Sequence, residues 1–192
     1  MARSKFFTAI FIIAVLGLGL RLIKYEKIPP FAETQDEFFY PWSGMTFLQT
    51  GTPVGWSWFP AYPDRKIVSY WGAQYPLVSP WIEKPPLYSL LTGSWMILTG
   101  AKELSDVRLS VLRLVPIILS VITIVGTGFL GKKIFSPWVG IIAATCYATT
   151  PFIVFSNRFS LTENLLTPLM LFTIYIFYSW QETPKKIYKL IL

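Results

Sequence analysis

Histidine is absent from the 192 residues, and cysteine occurs once, at Cys146. The first absence excludes imidazole metal sites and Ser–His or Cys–His triads, so a general base in this chain is expected to be a carboxylate. The second excludes a disulfide framework and a thiolate metal cluster, since Cys146 lies alone inside an apolar run. Charge is also scarce: 14% of residues are charged and 53% are hydrophobic. With a mean hydropathy of +0.50, that balance excludes an ordinary soluble domain and indicates a polytopic membrane protein. The formal net charge of +7 does not argue for nucleic acid, because Lys and Arg gather at the ends of hydrophobic runs, where they set topology.

The expected fold class is all-α: a polytopic transmembrane helical bundle with interfacial helices in a long first outer loop. No linker, repeat or low-complexity tract divides it, so residues 1–192 read as a single membrane module with spans at about 6–23, 111–131, 138–156 and 164–181. The first apolar run follows Arg3 and Lys5; its uncharged core is only about 15 residues, which Lys5 and Arg21 extend by snorkelling. A signal peptide fits the basic start and the apolar run. However, Arg21-Leu22-Ile23-Lys24 follows where a small-residue cleavage site belongs, so the helix is taken as retained.

The outer loop covers about residues 25–110. Pro29-Pro30 stops any continuation of the first helix. Thr34-Gln35-Asp36-Glu37 has capping-box spacing and opens a helix over about 35–49. Pro41 is expected to kink or interrupt that helix, and Gly51 to end it. Its aromatic and aliphatic content suits the membrane interface. Residues 52–82 read as irregular and, through Trp56, Trp58, Trp71 and Trp81, as lying at headgroup level. A second interfacial or re-entrant helix is expected near 86–100, about 14 residues being short for a crossing. If that segment does not cross, the N-terminus, the Lys132-Lys133 connector and the tail with Lys185, Lys186 and Lys189 all face the cytoplasm. If it crosses, the last two land outside. The first arrangement is preferred: four spans, with the big loop and the 157–163 connector on the same outer face. The apolar end Leu190-Ile191-Leu192 reads as the start of a further span, and the module as truncated at 192.

Chemistry is expected where the polar residues gather. Asp36 and Glu37 share a helical turn, and only one of them can face inward; capping and a solvated surface also account for one of the pair. Glu83-Lys84-Pro85-Pro86 sets a cation on a rigid turn at the start of a helix, a natural phosphate ligand or a plain interfacial lysine. Arg158 and Glu163 lie in the connector between two spans, where ordinary interface charges and capping by Thr162 are the plainer alternative. Arg113 lies about one turn into an apolar run and wants an anionic partner, either a lipid phosphate or one of these carboxylates. Arg108 fits a snorkelling span end more readily. Gly126-Thr127-Gly128-Phe129-Leu130-Gly131 matches a dinucleotide fingerprint, but it ends a membrane span instead of joining a strand to a helix, so its glycines point to close helix packing.

In this order, the basic start, the first span, Asp36-Glu37, Glu83-Lys84-Pro85-Pro86-Leu87-Tyr88, Arg108 and Arg113, Gly131-Lys132-Lys133-Ile134-Phe135 and Arg158-Phe159-Ser160-Leu161-Thr162-Glu163 form an ordered set. From about residue 5 to 182 this resembles the N-terminal half-module of the GT-C superfamily of polyprenyl-phosphate-sugar glycosyltransferases. The protein O-mannosyltransferase and lipid A aminoarabinose transferase branches are the most similar. The family's members are usually longer, with further spans and often an extracytoplasmic domain.

The resemblance implies hexosyl or pentosyl transfer from a polyprenyl-phosphate donor to a protein, lipid or glycan acceptor hydroxyl, with inversion. It places this at the outer face of a multi-pass protein of the cell or plasma membrane, N-terminus in the cytoplasm. It implies Asp36 as base or acceptor-orienting acid, Glu37 as its paired acid, and Glu163 in a second loop motif that often carries Asp. It further implies Lys84, Arg158 and Arg113 around the donor phosphate, with Glu83 and Arg108 in support. Membrane lipids are expected partners and nucleic acid is not. A divalent metal is left open: related oligosaccharyltransferase subunits bind one with the equivalent acids, and the mannosyltransferase branch does without. Two rival functions remain, a lipid or polyprenyl-phosphate transporter or flippase half, and a non-catalytic membrane scaffold.

Overall fold

A computed structural model of the chain describes residues 3–31 and 33–182; the expected basic tail at Lys185, Lys186 and Lys189 lies outside them. In chain order the elements are α1 (Arg3–Leu22), α2 (Asp36–Thr50), β1 (Gly55–Trp56), β2 (Lys66–Tyr70), β3 (Ala73–Val78), α3 (Pro86–Leu98), α4 (Leu109–Leu112), α5 (Leu114–Ile134), α6 (Pro137–Thr149), α7 (Pro151–Ser156) and α8 (Glu163–Glu182). The chain is mostly helical. Among the described residues two stretches, Ser4–Leu22 and Leu109–Ile134, are long and apolar enough to cross a membrane. The chain divides into two compact units, one of residues 3–25, 116–158 and 163–182, the other of residues 26–115 and 159–162.

In the first unit, Phe6, Ile10, Ile13 and Ala14 share one face of α1, by the helical repeat, and pack on Ile124, Ala144 and Ala148. Where α5 meets α6, a Cβ on Gly131 would stand 2.8 Å from the Gly140 Cα. The end of the glycine-rich run therefore serves backbone approach between helices, and all of it lies inside α5. Ser136 caps α6, its Oγ accepting from the Val139 N–H at 3.3 Å, with Pro137 in the first turn.

The run expected as one helix over 138–156 is broken between α6 and α7. Pro151 has no N–H to give the Tyr147 carbonyl one turn back. Arg21 supplies the missing donor, its Nη2 reaching Tyr147 O at 3.2 Å and its Nη1 reaching Ala148 O at 3.0 Å. The same guanidinium donates to Gly17 O and, from Nε and Nη2, to Asn157 Oδ1 at 3.2 and 2.8 Å. Asn157 passes the network on, donating to Asn164 Oδ1 at 2.7 Å. Arg21 is 0% exposed, so the expected snorkelling is corrected: it is a fully bonded strut across a helix break.

In the second unit α2, α3 and a small sheet enclose a core of Phe38, Phe39, Met45, Tyr75, Met96, Leu104 and Leu112. The sheet corrects the expectation of irregular chain over 52–82. It is antiparallel, order β1-β3-β2, with Gly55 opposite Val78, Lys66 opposite Leu77 and Tyr70 opposite Ala73. β2 and β3 are joined by a two-residue turn, Trp71-Gly72, with φ of 48° and 78°. Such turns demand positive φ at both positions and favour Asn-Gly. A Trp there costs about 1–2 kcal/mol, offset by a tilted ring contact with Phe38, centroids 4.6 Å apart, and an edge-to-face contact with Phe31 at 5.7 Å. Pro76 sits in the central strand beside the end of β1; its carbonyl takes the Ser57 N–H at 3.0 Å, and its lack of an N–H to return closes the ladder there.

One expectation about α2 is also corrected. Its N-cap is Gln35 without a side-chain bond, because the Glu37 carboxylate is engaged elsewhere and the Thr34 capping box does not form. Pro41 lies within the helix without ending it; it costs the bond to the Glu37 carbonyl in the early turns only. Gly51 ends the helix as expected, with φ of 78°.

α2 and α3 touch backbone to backbone. A Cβ on Gly93 would stand 2.5 Å from Gly44 C and Met45 N, and one on Gly44 would run into the Ser89 carbonyl. Neither neighbour is a side chain that can swing away. Gly93→Ala is therefore expected to cost about 1–3 kcal/mol, lowering the thermal midpoint in detergent. Gly19→Ala, where a Cβ meets nothing within 4 Å, should be neutral or slightly stabilising. Equal midpoints for the two variants would discount the close approach.

After α3, Asp106 caps a 3-10 turn, accepting from Lys102 N at 2.8 Å and Glu103 N at 3.0 Å. These bonds hold its carboxyl below the ordinary aspartate value.

Candidate active site

Glu37 and Arg113, 76 residues apart, form a salt bridge in which both side chains are 0% exposed. Arg113 Nε donates to Glu37 Oε1 at 3.0 Å and Nη2 donates to Oε2 at 2.8 Å. This is the paired fork that makes an Arg–carboxylate contact directional. Arg113 Nη1 donates to the Pro29 carbonyl at 2.8 Å, and the Ser160 N–H donates to Glu37 Oε1 at 2.9 Å. Ser160 Oγ lies 2.9 Å from Tyr88 Oη, both residues buried. One buried network thus ties the acidic turn of α2, the head of α3, the residue before α5 and the 159–162 connector segment. Arg113 thus has a carboxylate, one of the two kinds of partner foreseen for it, at bidentate distance.

Asp36 is the first residue of α2, where the helix dipole favours negative charge. It is half-buried and has no side-chain partner among the described residues. The neighbouring carboxylates therefore differ in kind: one is saturated with donors and sealed, the other is accessible and unengaged.

Glu83 and Lys84 are exposed. The Glu83 carboxylate accepts a short hydrogen bond from Ser57 Oγ, and Ser57, which is buried, ties that turn to the end of β1. Pro86 begins α3, as expected of a proline in a first helical turn. Lys84 lies on the wall of a cleft of about 370 Å³ otherwise lined by Phe47, Trp81, Ile82, Leu90, prolines and small residues. A single ammonium beside an apolar trough suits an amphiphile with one anionic group.

The remaining expected residues are Arg108, Arg158 and Glu163. Arg108 is exposed and borders a separate polar cleft of about 300 Å³ with Ser105 and Asp106. Arg158, in the first unit, is largely buried and donates from Nη2 to the Leu20 carbonyl at 2.8 Å. Glu163, also in the first unit, is exposed in the first turn of α8. Thr162, foreseen as a cap, has a buried Oγ without a hydrogen-bond partner among the described residues.

Among the described residues no three Asp, Glu or Cys side chains gather, and the Glu37 oxygens already face N–H groups, which repel a cation. No step below is routed through a metal.

The hydrogen-bonding roles of Ser57, Tyr88, Arg21 and Asn157 were not foreseen from the sequence. Arg21 carried one usable signal, a cation at the end of an apolar run followed far downstream by a proline that breaks a helix. Ser57 carried none.

A family model described as dolichyl-phosphate-mannose-protein mannosyltransferase matches residues 83–192, more than half of the 192-residue chain. The matched range takes in Glu83, Lys84, Arg108, Arg113, Arg158 and Glu163, and leaves Asp36 and Glu37 outside. No curated protein and no solved structure gives a significant match.

Proposed function

The chain belongs to the dolichyl-phosphate-mannose-protein mannosyltransferase family, and from that premise we propose that it transfers a sugar from a polyprenyl-phosphate donor to an acceptor hydroxyl at the outer face of a membrane. At the family level the activity is glycosyl transfer of the mannosyltransferase type within the membrane. Polyprenyl donor, inversion and the roles below are our own reading, as is a multi-pass topology of four spans with a cytoplasmic N-terminus. In that topology α6 and α7 together make one broken span, and the two compact units serve one functional module.

The observation that carries the proposal is the contrast between adjacent carboxylates. Glu37 is locked by Arg113 and Ser160, which supports a positioning role that fixes the first turn of α2. Asp36 in that turn is unengaged, as a base must be before substrate arrives. The acceptor hydroxyl passes its proton to Asp36 and attacks the anomeric carbon from the face opposite the phosphate. The carbon–oxygen bond to the phosphate breaks, and the polyprenyl phosphate leaves as an anion. Lys84 meets the charge that grows on it, an electrostatic contribution of the kind that is usually largest in catalysis. Arg158 and Glu163 are retained as candidate donor and acceptor contacts, Arg108 as support, and Glu83 with Ser57 as the brace that orients Lys84.

The test is transfer by the protein in vesicles, from a radiolabelled mannosyl polyprenyl phosphate to a hydroxyl-bearing peptide. Release of the sugar from its lipid is expected. Movement of intact donor across the bilayer without release would favour the transporter reading instead. Lys84→Ala is expected to raise the donor KM and lower kcat/KM roughly ten- to a hundredfold, in line with a lost charge-assisted bond of about 1.5–3 kcal/mol. An unchanged donor KM and kcat/KM would remove Lys84 from the phosphate site.

A further inference from the structure

The loop after β1 combines two properties seldom found together. Trp58 and Phe59 expose 63% and 61% of their surface, and Ile82 exposes 74%. Much of the polar backbone beneath them is nevertheless bonded from within the protein, through the Trp58 and Phe59 carbonyls and the Phe59 and Ile82 N–H groups. Phe59 N–H donates to Ser57 Oγ at 2.9 Å. The carbonyls of Trp58 and Phe59 accept from Arg65 Nη2 at 3.3 and 2.6 Å. Tyr62 N–H also donates to the Phe59 carbonyl, at 3.1 Å. Ile82 N–H donates to Tyr62 Oη at 3.1 Å, and Ser57 Oγ donates to Glu83. The last two bonds fasten the 57–62 loop to the 82–83 turn, so the three apolar side chains stand on one braced platform.

A water-facing loop has no need of this arrangement, because water serves exposed N–H and C=O groups. A loop entering the apolar edge of a bilayer does need it, since nothing there replaces those bonds. Indole and phenyl rings are also the side chains that settle at headgroup depth. Arg65, Lys66 and Lys84 stand near the platform in sequence against Asp64 and Glu83, three cations against two acids, a bias that suits lipid phosphates.

We propose that Trp58, Phe59 and Ile82 form a wedge that enters the headgroup layer of a phospholipid bilayer, with the Arg65 and Tyr62 bonds as the device that makes the loop fit to leave water. This rests on the membrane residence of the chain proposed above and is independent of glycosyl transfer.

The experiment uses the protein in phospholipid vesicles with Cys146→Ser. Nitroxide labels are placed through Phe59→Cys and Ile82→Cys, with Asp64→Cys as the aqueous reference and Phe11→Cys as the reference inside α1. Collision rates with oxygen, which concentrates in lipid, and with a nickel chelate, which stays in water, are compared. The oxygen-to-nickel ratio at 59 and 82 should exceed that at 64 several-fold and move toward that at 11. Tyr62→Phe, which leaves the Ile82 N–H without its acceptor, should shift the label at 82 back toward water. Ratios at 59 and 82 equal to that at 64 would overturn the wedge while leaving the span intact. Labels shielded from both reagents would overturn it in favour of a covering protein. An aqueous ratio at 11 as well would remove the membrane residence itself.

Discussion

Asp36→Asn is expected to lower kcat for sugar transfer roughly a hundred- to ten-thousandfold, the range that a positioned general base supplies, while the donor KM stays near that of the wild type. The substitution keeps the size and shape of the side chain and removes only its ability to take a proton. Asp36 is half-buried at the first position of α2 and bonds to no other side chain among the described residues, so little structure depends on it. Loss of its charge at a helix N-terminus costs about 0.3–1 kcal/mol, too little to unfold the unit. The measurement is steady-state transfer in vesicles, paired with thermal unfolding of the same preparation. Turnover within a few-fold of wild type would falsify the base assignment.

Arg113→Met should act the other way, through stability first. Removing one partner of a buried ion pair costs about 3–5 kcal/mol, because the remaining charge is left without compensation. Here that charge is Glu37, which keeps only the Ser160 N–H, and the Pro29 carbonyl loses its donor as well. A large fall in the thermal midpoint is expected, with activity lost in proportion to folded protein. The double variant Glu37→Leu/Arg113→Met should recover part of the loss, since a buried pair replaced by apolar groups is often close to neutral. Were Arg113 a donor ligand, the single variant would keep its midpoint and raise the donor KM. That pattern would overturn the positioning role.

These two variants mark where reasoning along the chain stops. The acidic turn, the Glu83-Lys84-Pro85-Pro86 turn and the connector from Arg158 to Glu163 were all legible as places to look. Their local roles were not. The same spacing that reads as a capping box at Thr34 and Glu37 leads instead to a carboxylate spent on an arginine 76 residues away. The hairpin of β2 and β3 was hidden because its turn places Trp71 where Asn is usual, and because Pro76 speaks against a central strand. Both irregularities are resolved by neighbours distant in sequence, Phe38 and Phe31 for the first and the end of β1 for the second.

What the chain alone determined is whatever local composition controls. The scarcity of charge and the long apolar runs dictated helices and a membrane setting, and α1, α2, α3, α5 and α8 lie close to where hydropathy and proline placed them. The absence of histidine excluded imidazole acid–base chemistry. Tertiary structure alone decided which carboxylate stays available, that Arg113 braces Glu37, and that Arg21 closes the break before Pro151 from the far end of α1. The physical reason is desolvation. A buried charge or an orphaned carbonyl must find a partner wherever the fold brings one, and with separations of 76 and 126 residues no local window contains both ends of the bond.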